Sequence, residues 1–187
     1  SEGRLVDTAV ADALVAAVKG QPGTIAAYKQ EAKKQNQPLA FALSDITALA
    51  SAKFGYSAED VLNTCQALYE THKLTSYPRT DCAYLPESQH ADAPRVLEAI
   101  KHVNPELAGL VDGADPRIKS KTWDDSKITA HHGIVPTMQK GSKAALSERE
   151  RNIYDLIVRA YLAQFYPLHE YMQTTVGVEI AGENFAA

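Results

Sequence analysis

Within Ser76-Tyr77-Pro78-Arg79-Thr80-Asp81 the chain carries a phenol, a guanidinium, two hydroxyls and a carboxylate. Together these groups can attack a phosphodiester. A phenol titrates near about 10, so at neutral pH it needs a positive neighbour to stabilise the developing phenolate. Arg79 supplies a planar fork that binds non-bridging phosphate oxygens and steadies their charge in the transition state. Pro78 restricts Tyr77 to an extended backbone, and Arg79 lies on the same side as Tyr77 as long as the chain stays extended. Asp81 could orient Arg79, and Thr80 could donate to a phosphate. The same residues allow a plainer reading: Tyr77 is one of nine tyrosines, and a Tyr-Pro pair in a loop can simply pack on a core edge.

A second segment has a charge suited to phosphate. The net charge is −4, which argues mildly against a polyanionic partner, but its distribution is uneven. Arg117, Lys119, Lys121, Lys127, Lys140 and Lys143 face only Asp124 and Asp125 in their stretch, while both flanks are acidic. One positive segment on an acidic protein fits a local phosphate contact, or a solvated Lys-rich loop. His131 and His132 are adjacent, so their side chains diverge, and with Asp124-Asp125 they match no zinc spacing. No metal site is expected.

These residues need elements to hold them. Leu5, Val6, Ala9, Val10, Ala13, Leu14, Ala17 and Val18 recur at helical spacing and predict a helix with one buried stripe, stopped by Gly20. A short strand is expected over Thr24–Lys33, then a polar connector, Lys34 to Pro38. A second helix is expected from about Ser44 to Gly55. Ser57-Ala58-Glu59-Asp60 is a capping box opening a third, with Val61, Leu62, Cys65, Leu68 and Tyr69 on one face. Joined by Gly55-Tyr56-Ser57, these two resemble a helix-turn-helix unit. A helix is expected from about Ser88 to Val103, with Pro94 its weak point, followed by turns from Asn104 to Gln139. Ser147-Glu148-Arg149-Glu150 is a second capping box, and Ile153, Leu156, Ile157, Ala160, Tyr161 and Ala163 follow at helical spacing. Alternation at Met172, Thr174, Val176, Val178 and Ile180 predicts a half-buried strand.

The reading is an α+β, mostly helical chain. A helical domain (residues 41–168) is inserted between segments of a small β-containing, hinge-like domain (residues 1–40 and 169–187). With 187 residues, 45% hydrophobic and 22% charged, the composition excludes disorder and fibrous repeats. The longest apolar run, Ala13 to Val18, is far short of the roughly 20 residues that span a bilayer, so no membrane is expected. Two cysteines make no disulfide framework and point to a reducing cytosol. No secretion signal is present. The start at Ser1 and the end just after a strand-like stretch suggest a piece of a longer protein.

Leu68-Tyr69-Glu70 followed by Ser76-Tyr77-Pro78-Arg79-Thr80-Asp81-Cys82 resembles the active-site signature of type IA DNA topoisomerases. Ala130-His131-His132-Gly133-Ile134-Val135-Pro136-Thr137 resembles the Ala-His-x-x-Ile-x-Pro-Thr block that follows it. Pro78 and the histidine pair bring it nearest to the bacterial topoisomerase III branch. The resemblance implies that Tyr77 cleaves one DNA strand and holds its 5′-phosphate as a phosphotyrosine ester. Arg79 would then stabilise the scissile phosphate, and His131 would contact DNA beside it. Gln66, Ser76 and Thr80 become further DNA contacts. Ser76, Cys82 and Gly133 depart from the common threonine, serine and alanine, and Gly133 is expected to loosen the loop near His131. The resemblance also implies single-stranded DNA and the remaining domains of a parent enzyme as partners, in a bacterial cytoplasm with the nucleoid. Magnesium is implied for the intact enzyme, held by an acidic domain with no counterpart here, so no cofactor is expected in this chain. The chain alone is expected not to relax supercoiled DNA.

Two other readings remain open at this point. One is a noncatalytic helix-turn-helix-like nucleic-acid-binding module in which Tyr77 merely packs. The other is a helical protein-interaction domain working through the acidic flanks.

Overall fold

A computed structural model describes residues 7–187 and is mixed α+β. It divides into two compact units: the residues up to Gln35 together with Glu170–Ala187, and Asn36–His169.

In the helical unit, α2 (Leu43–Phe54), α3 (Ala58–Glu70) and α6 (Glu148–Ala163) start and stop where local chemistry dictates. Gly55 ends α2 with φ +71, a left-handed conformation that glycine adopts without a Cβ penalty. Ser57 caps α3 and Ser147 caps α6, each accepting from the backbone three residues on while Asp60 or Glu150 reaches back. Such caps contribute about 0.5–2 kcal/mol each. Their apolar faces meet: Ile46 and Ala50 of α2, Val61, Cys65 and Leu68 of α3, and Ile153 and Ile157 of α6 share one core. Burying each of the large ones is worth about 1.5–3 kcal/mol. Across the surface, Arg149 Nη1 meets Asp60 Oδ1 at 2.6 Å and Asn152 Nδ2 donates to the Tyr56 hydroxyl at 2.8 Å.

The helix expected from Ser88 to Val103 is divided. Glu87–Asp92 forms a 3₁₀ turn, and α4 runs only over Ala93–Val103. Pro94 sits in its first turn, where the missing N–H costs nothing and the ring cannot clash with a preceding turn. Turns then dominate to Gln139, interrupted by the short α5 (Ala108–Asp112). Gln164, fully buried, ties this loop to α6. Its Nε2 donates to Pro38 O and Ala160 O, and its Oε1 accepts from Ser120 Oγ.

The terminal unit contains α1 (Thr8–Val18) and a three-stranded sheet ordered β1 (Gly23–Gln35), β2 (His169–Ile180), β3 (Glu183–Ala186). Gln30 reaches Thr174 and Lys34 reaches Glu170, so β1 and β2 run antiparallel. β2 and β3 form an antiparallel hairpin in which Ile180 pairs with Glu183. Its turn, Ala181 (φ +52) and Gly182 (φ +82), has both central residues at positive φ, which matches the strand twist. The strand β3 was not expected from the sequence.

The buried stripe expected on the first helix is not found. Asp7 caps α1 through its Oδ1, but no residue of the helix is buried, and Val10 and Val15 are exposed. Leu5 and Val6, assigned to the same stripe, lie outside the described residues. The final strand is likewise covered only at its end: His169 to Thr175 are exposed, and Val176, Val178 and Ile180 are partly covered.

Candidate functional site

After α3 the chain turns through Lys73, a non-glycine residue at φ +57, while Leu74 N donates to Leu68 O. This exit sends Leu74–Tyr77 alongside Gly133–Thr137. Thr137 N donates to Leu74 O (3.0 Å), Ser76 N donates to Val135 O (2.9 Å), and Thr75 bridges Pro136 in antiparallel fashion. Ser76 Oγ completes the seam by donating to Gly133 O and accepting from Val135 N. The two sequence blocks, distant in the chain, therefore form one structural unit. Ser76 is consumed as its clasp rather than held out toward a ligand.

The seam brings two of the expected site residues into contact. The Tyr77 ring is half-buried, with the His131 ring 5.0 Å away at 47° and the Tyr69 ring 5.5 Å away edge-on at 78°. Such aromatic contacts favour a fixed ring orientation by about 0.5–1.5 kcal/mol each. Tyr69, which lies on the face of α3 and in the first block of the signature resemblance, thus positions the phenol. His131 itself is exposed.

The glycine beside it does not loosen this loop. A Cβ on Gly133 would lie 3.0 Å from the Ala40 Cβ and 3.3 Å from the Ala83 carbonyl carbon. Gly133 N donates to Tyr84 O and Ile134 N to Phe41 O. The residue is there for close backbone approach, and the loop is tightly fastened.

Arg79 departs from the expected path. Thr80 N donates to Pro78 O at 2.9 Å, a three-residue turn, so the backbone does not stay extended past Tyr77. Arg79 is exposed and lines an open groove of about 800 Å³ with Ser44, Thr47, Tyr56 and Asp81. It has no ion-pair partner among the described residues, Asp81 included. An unpaired guanidinium retains its full charge for an incoming anion.

Thr80 is only 4% exposed, and its hydroxyl accepts from Cys82 N, so it is committed to the turn. Gln66 donates through Nε2 to Glu70 at 2.6 Å on α3, and its buried Oε1 has no partner among the described residues. Neither cysteine is a candidate nucleophile. Both are buried, and burial alone pushes the Cys65 thiol up to about 12.

The basic segment is half neutralised by its own neighbours. Arg117 grips Asp115 through two nitrogens, Lys119 pairs with Glu87, and Lys143 pairs with Glu106. The Arg117 hydrogen bonds hold the Asp115 carboxyl down at about 2. Lys121, Lys127 and Lys140 are exposed, with no ion pair among the described residues.

No group of three or more His, Cys, Asp or Glu that could hold a metal occurs among the described residues. The adjacent Asp124 and Asp125 do not fit magnesium. Asp124 accepts from Ser126, Asp125 accepts from Glu87 N, and the two carboxylates serve separate turns.

A family model described as DNA topoisomerase matches residues 1–187. A curated relative from Vibrio cholerae, named DNA topoisomerase 3, is 42% identical over 186 residues. A second of the same name from Salmonella typhimurium is 40% identical over 186 residues. Both align with 100% of this chain, which spans only 29% and 28% of their lengths. Among solved structures, full-length topoisomerase I from Thermotoga maritima superposes with a TM-score of 0.63 at 20% identity, over 95% of this chain and 29% of that one. That likeness carries the fold, and the sequence matches carry the kinship. With its two motif blocks joined along one seam, this chain belongs to the type IA DNA topoisomerase family.

Proposed function

We propose that this chain is the catalytic-tyrosine portion of a type IA DNA topoisomerase, an isomerase of DNA topology. Its helical body carries the nucleophile and its β-containing terminal unit serves as a hinge. The Tyr77 hydroxyl oxygen attacks a phosphorus in a single DNA strand. The P–O3′ bond breaks, the 3′-oxygen leaves as a hydroxyl after taking up a proton, and the 5′-phosphate stays on Tyr77 as an ester. Attack by that 3′-hydroxyl reverses the step, reseals the strand and frees the phenol. The ester conserves the bond energy while another strand passes.

The observation that carries this reading is the contact of Tyr77 with His131, made by residues from two blocks that the fold stitches together. Arg79, exposed and unpaired, is the cation available to bind the non-bridging oxygens, and the contact of His131 with Tyr77 supports a role for it beside the same phosphate. Lys121, Lys127 and Lys140 extend the positive surface for the backbone of the bound strand. Magnesium, if held by the intact enzyme, would supply phosphate-charge neutralisation, and no group of three or more His, Cys, Asp or Glu among the described residues fits it. Because the chain spans under a third of its relatives' length, it alone is expected to leave supercoiled DNA unrelaxed.

The test is covalent trapping in the full-length parent. A labelled single-stranded oligonucleotide forms a denaturant-resistant adduct with the wild type and none with Tyr77→Phe. Arg79→Ala lowers adduct formation by about 10²–10³-fold, as loss of one transition-state donor does. An undiminished adduct in Tyr77→Phe would overturn the assignment.

A further inference from the structure

Ser76 and His132 line a cavity of about 240 Å³ that their chain neighbours Tyr77 and His131 do not line. Gln89, Asp92, Trp123 and Tyr161 complete its polar and aromatic wall. The cavity is smaller than the roughly 300–1,000 Å³ of sites for drug-sized ligands and suits a single flat ring.

Its polar groups are fixed and incompletely used. Trp123 is 5% exposed, its ring set edge-on to His90 at 5.0 Å, and its buried indole N–H has no acceptor among the described residues. His132 Nδ1–H donates to Gly133 O at 2.8 Å, which leaves Nε2 to accept from Gln89 Nε2 at 3.3 Å. That fixes the Gln89 amide and leaves its Oε1 without a partner among the described residues. Asp92 gives Oδ1 to Arg95 and keeps Oδ2 without one. The wall therefore offers two oxygen acceptors around an aromatic lining, and the Trp123 N–H is covered. A phosphate would be repelled by Asp92. A nucleobase, with N–H donors and an apolar face, answers both acceptors and the aromatic lining.

We propose that this cavity receives one unstacked nucleobase of the strand on which Tyr77 acts, with Gln89 and Asp92 as its base-reading residues and the Trp123 ring in its lining. The proposal rests on the reading of Tyr77 as acting on DNA and extends it to sequence preference. One seam would then hold the reacting phosphate beside Tyr77 and a base beside Ser76, so that base identity near the scissile bond selects the cleavage position.

Trp123 is the sole tryptophan of the chain, so its emission reports on the cavity. The chain is titrated at low ionic strength with oligomers of dA, dC, dG and dT, and with an abasic oligomer of equal length. At least one base-bearing oligomer is expected to quench Trp123 saturably, while the abasic one, which keeps every phosphate, leaves it unchanged. Gln89→Ala and Asp92→Asn, checked for folding by circular dichroism, should each weaken the quenching affinity by about tenfold, the scale of one lost base contact. Quenching by no oligomer, equal quenching by the abasic strand, or unchanged affinity in both variants overturns the proposal. Base-dependent quenching with no Tyr77-dependent adduct in the parent would contradict the chemistry alone, and the converse would contradict base capture alone.

Discussion

The seam around Tyr77 and the terminal unit are built on opposite terms. At the seam, every strut is supplied by the chain itself: the Ser76 clasp, the Thr137–Leu74 and Ile134–Phe41 backbone bonds, and the close approach at Gly133. In the terminal unit, α1 has hydrogen bonds and a cap but no buried residue, and Ile25, Tyr28 and Met172 are more than half exposed. Backbone hydrogen bonding can specify an element without burial, but buried apolar area supplies most of the stability. The position of the phenol is therefore a property of this chain, and the energetics of the terminal unit are of a different order.

That contrast predicts unequal costs for similar changes. Ile157→Ala, at a fully buried position of α6, should lower unfolding free energy by about 2–5 kcal/mol in urea melts. Val15→Ala, at an exposed position of α1, should change it by no more than about 0.5 kcal/mol. Equal losses would break the comparison. Gly133→Ala should cost about 1–3 kcal/mol, since the new methyl meets Ala40 and Ala83 backbone, and should impair adduct formation although it touches no reacting atom. Ser76→Ala should cost about 1–3 kcal/mol by leaving Val135 N–H without its partner.

The smallest effect expected is electrostatic. Glu150 sits at the α6 cap, 3.0 Å from His72 Nε2. Burial raises its carboxyl, but the Ser147 hydrogen bonds and His72 together outweigh that and hold it below the usual value. Its contribution is therefore complete above the unfolded carboxylate value of about 4.3 and disappears as pH falls through the lower folded value. Glu150→Gln should flatten that acid limb of the stability–pH curve and leave the curve's shape at neutral pH unchanged.

What could be read from the sequence was what local chemistry decides. Ser57 and Ser147 announced α3 and α6, and Gly55 announced the end of α2, because caps act within one turn. The alternation of β2 was visible as well, but not how little of it would be covered, since coverage depends on what lies against the strand. The turn after Pro78 depends on one backbone bond that no residue type demands, so the path of Arg79 was misjudged. Pairing of Lys119 with Glu87 and of Lys143 with Glu106 joins residues far apart in the chain, which made the basic segment look more positive than it is. Thr80 and Ser76 were readable as hydroxyls, but only the fold shows that both are spent on backbone groups.

The central claim concerns one oxygen atom. Reaction of the full-length parent with a single-stranded oligonucleotide, followed by proteolysis, nuclease trimming and mass spectrometry, would identify the residue that carries the nucleotide. The account predicts a 5′-phosphate on the peptide containing Tyr77. A nucleotide on any other residue, or on the 3′ side of the break, would contradict it.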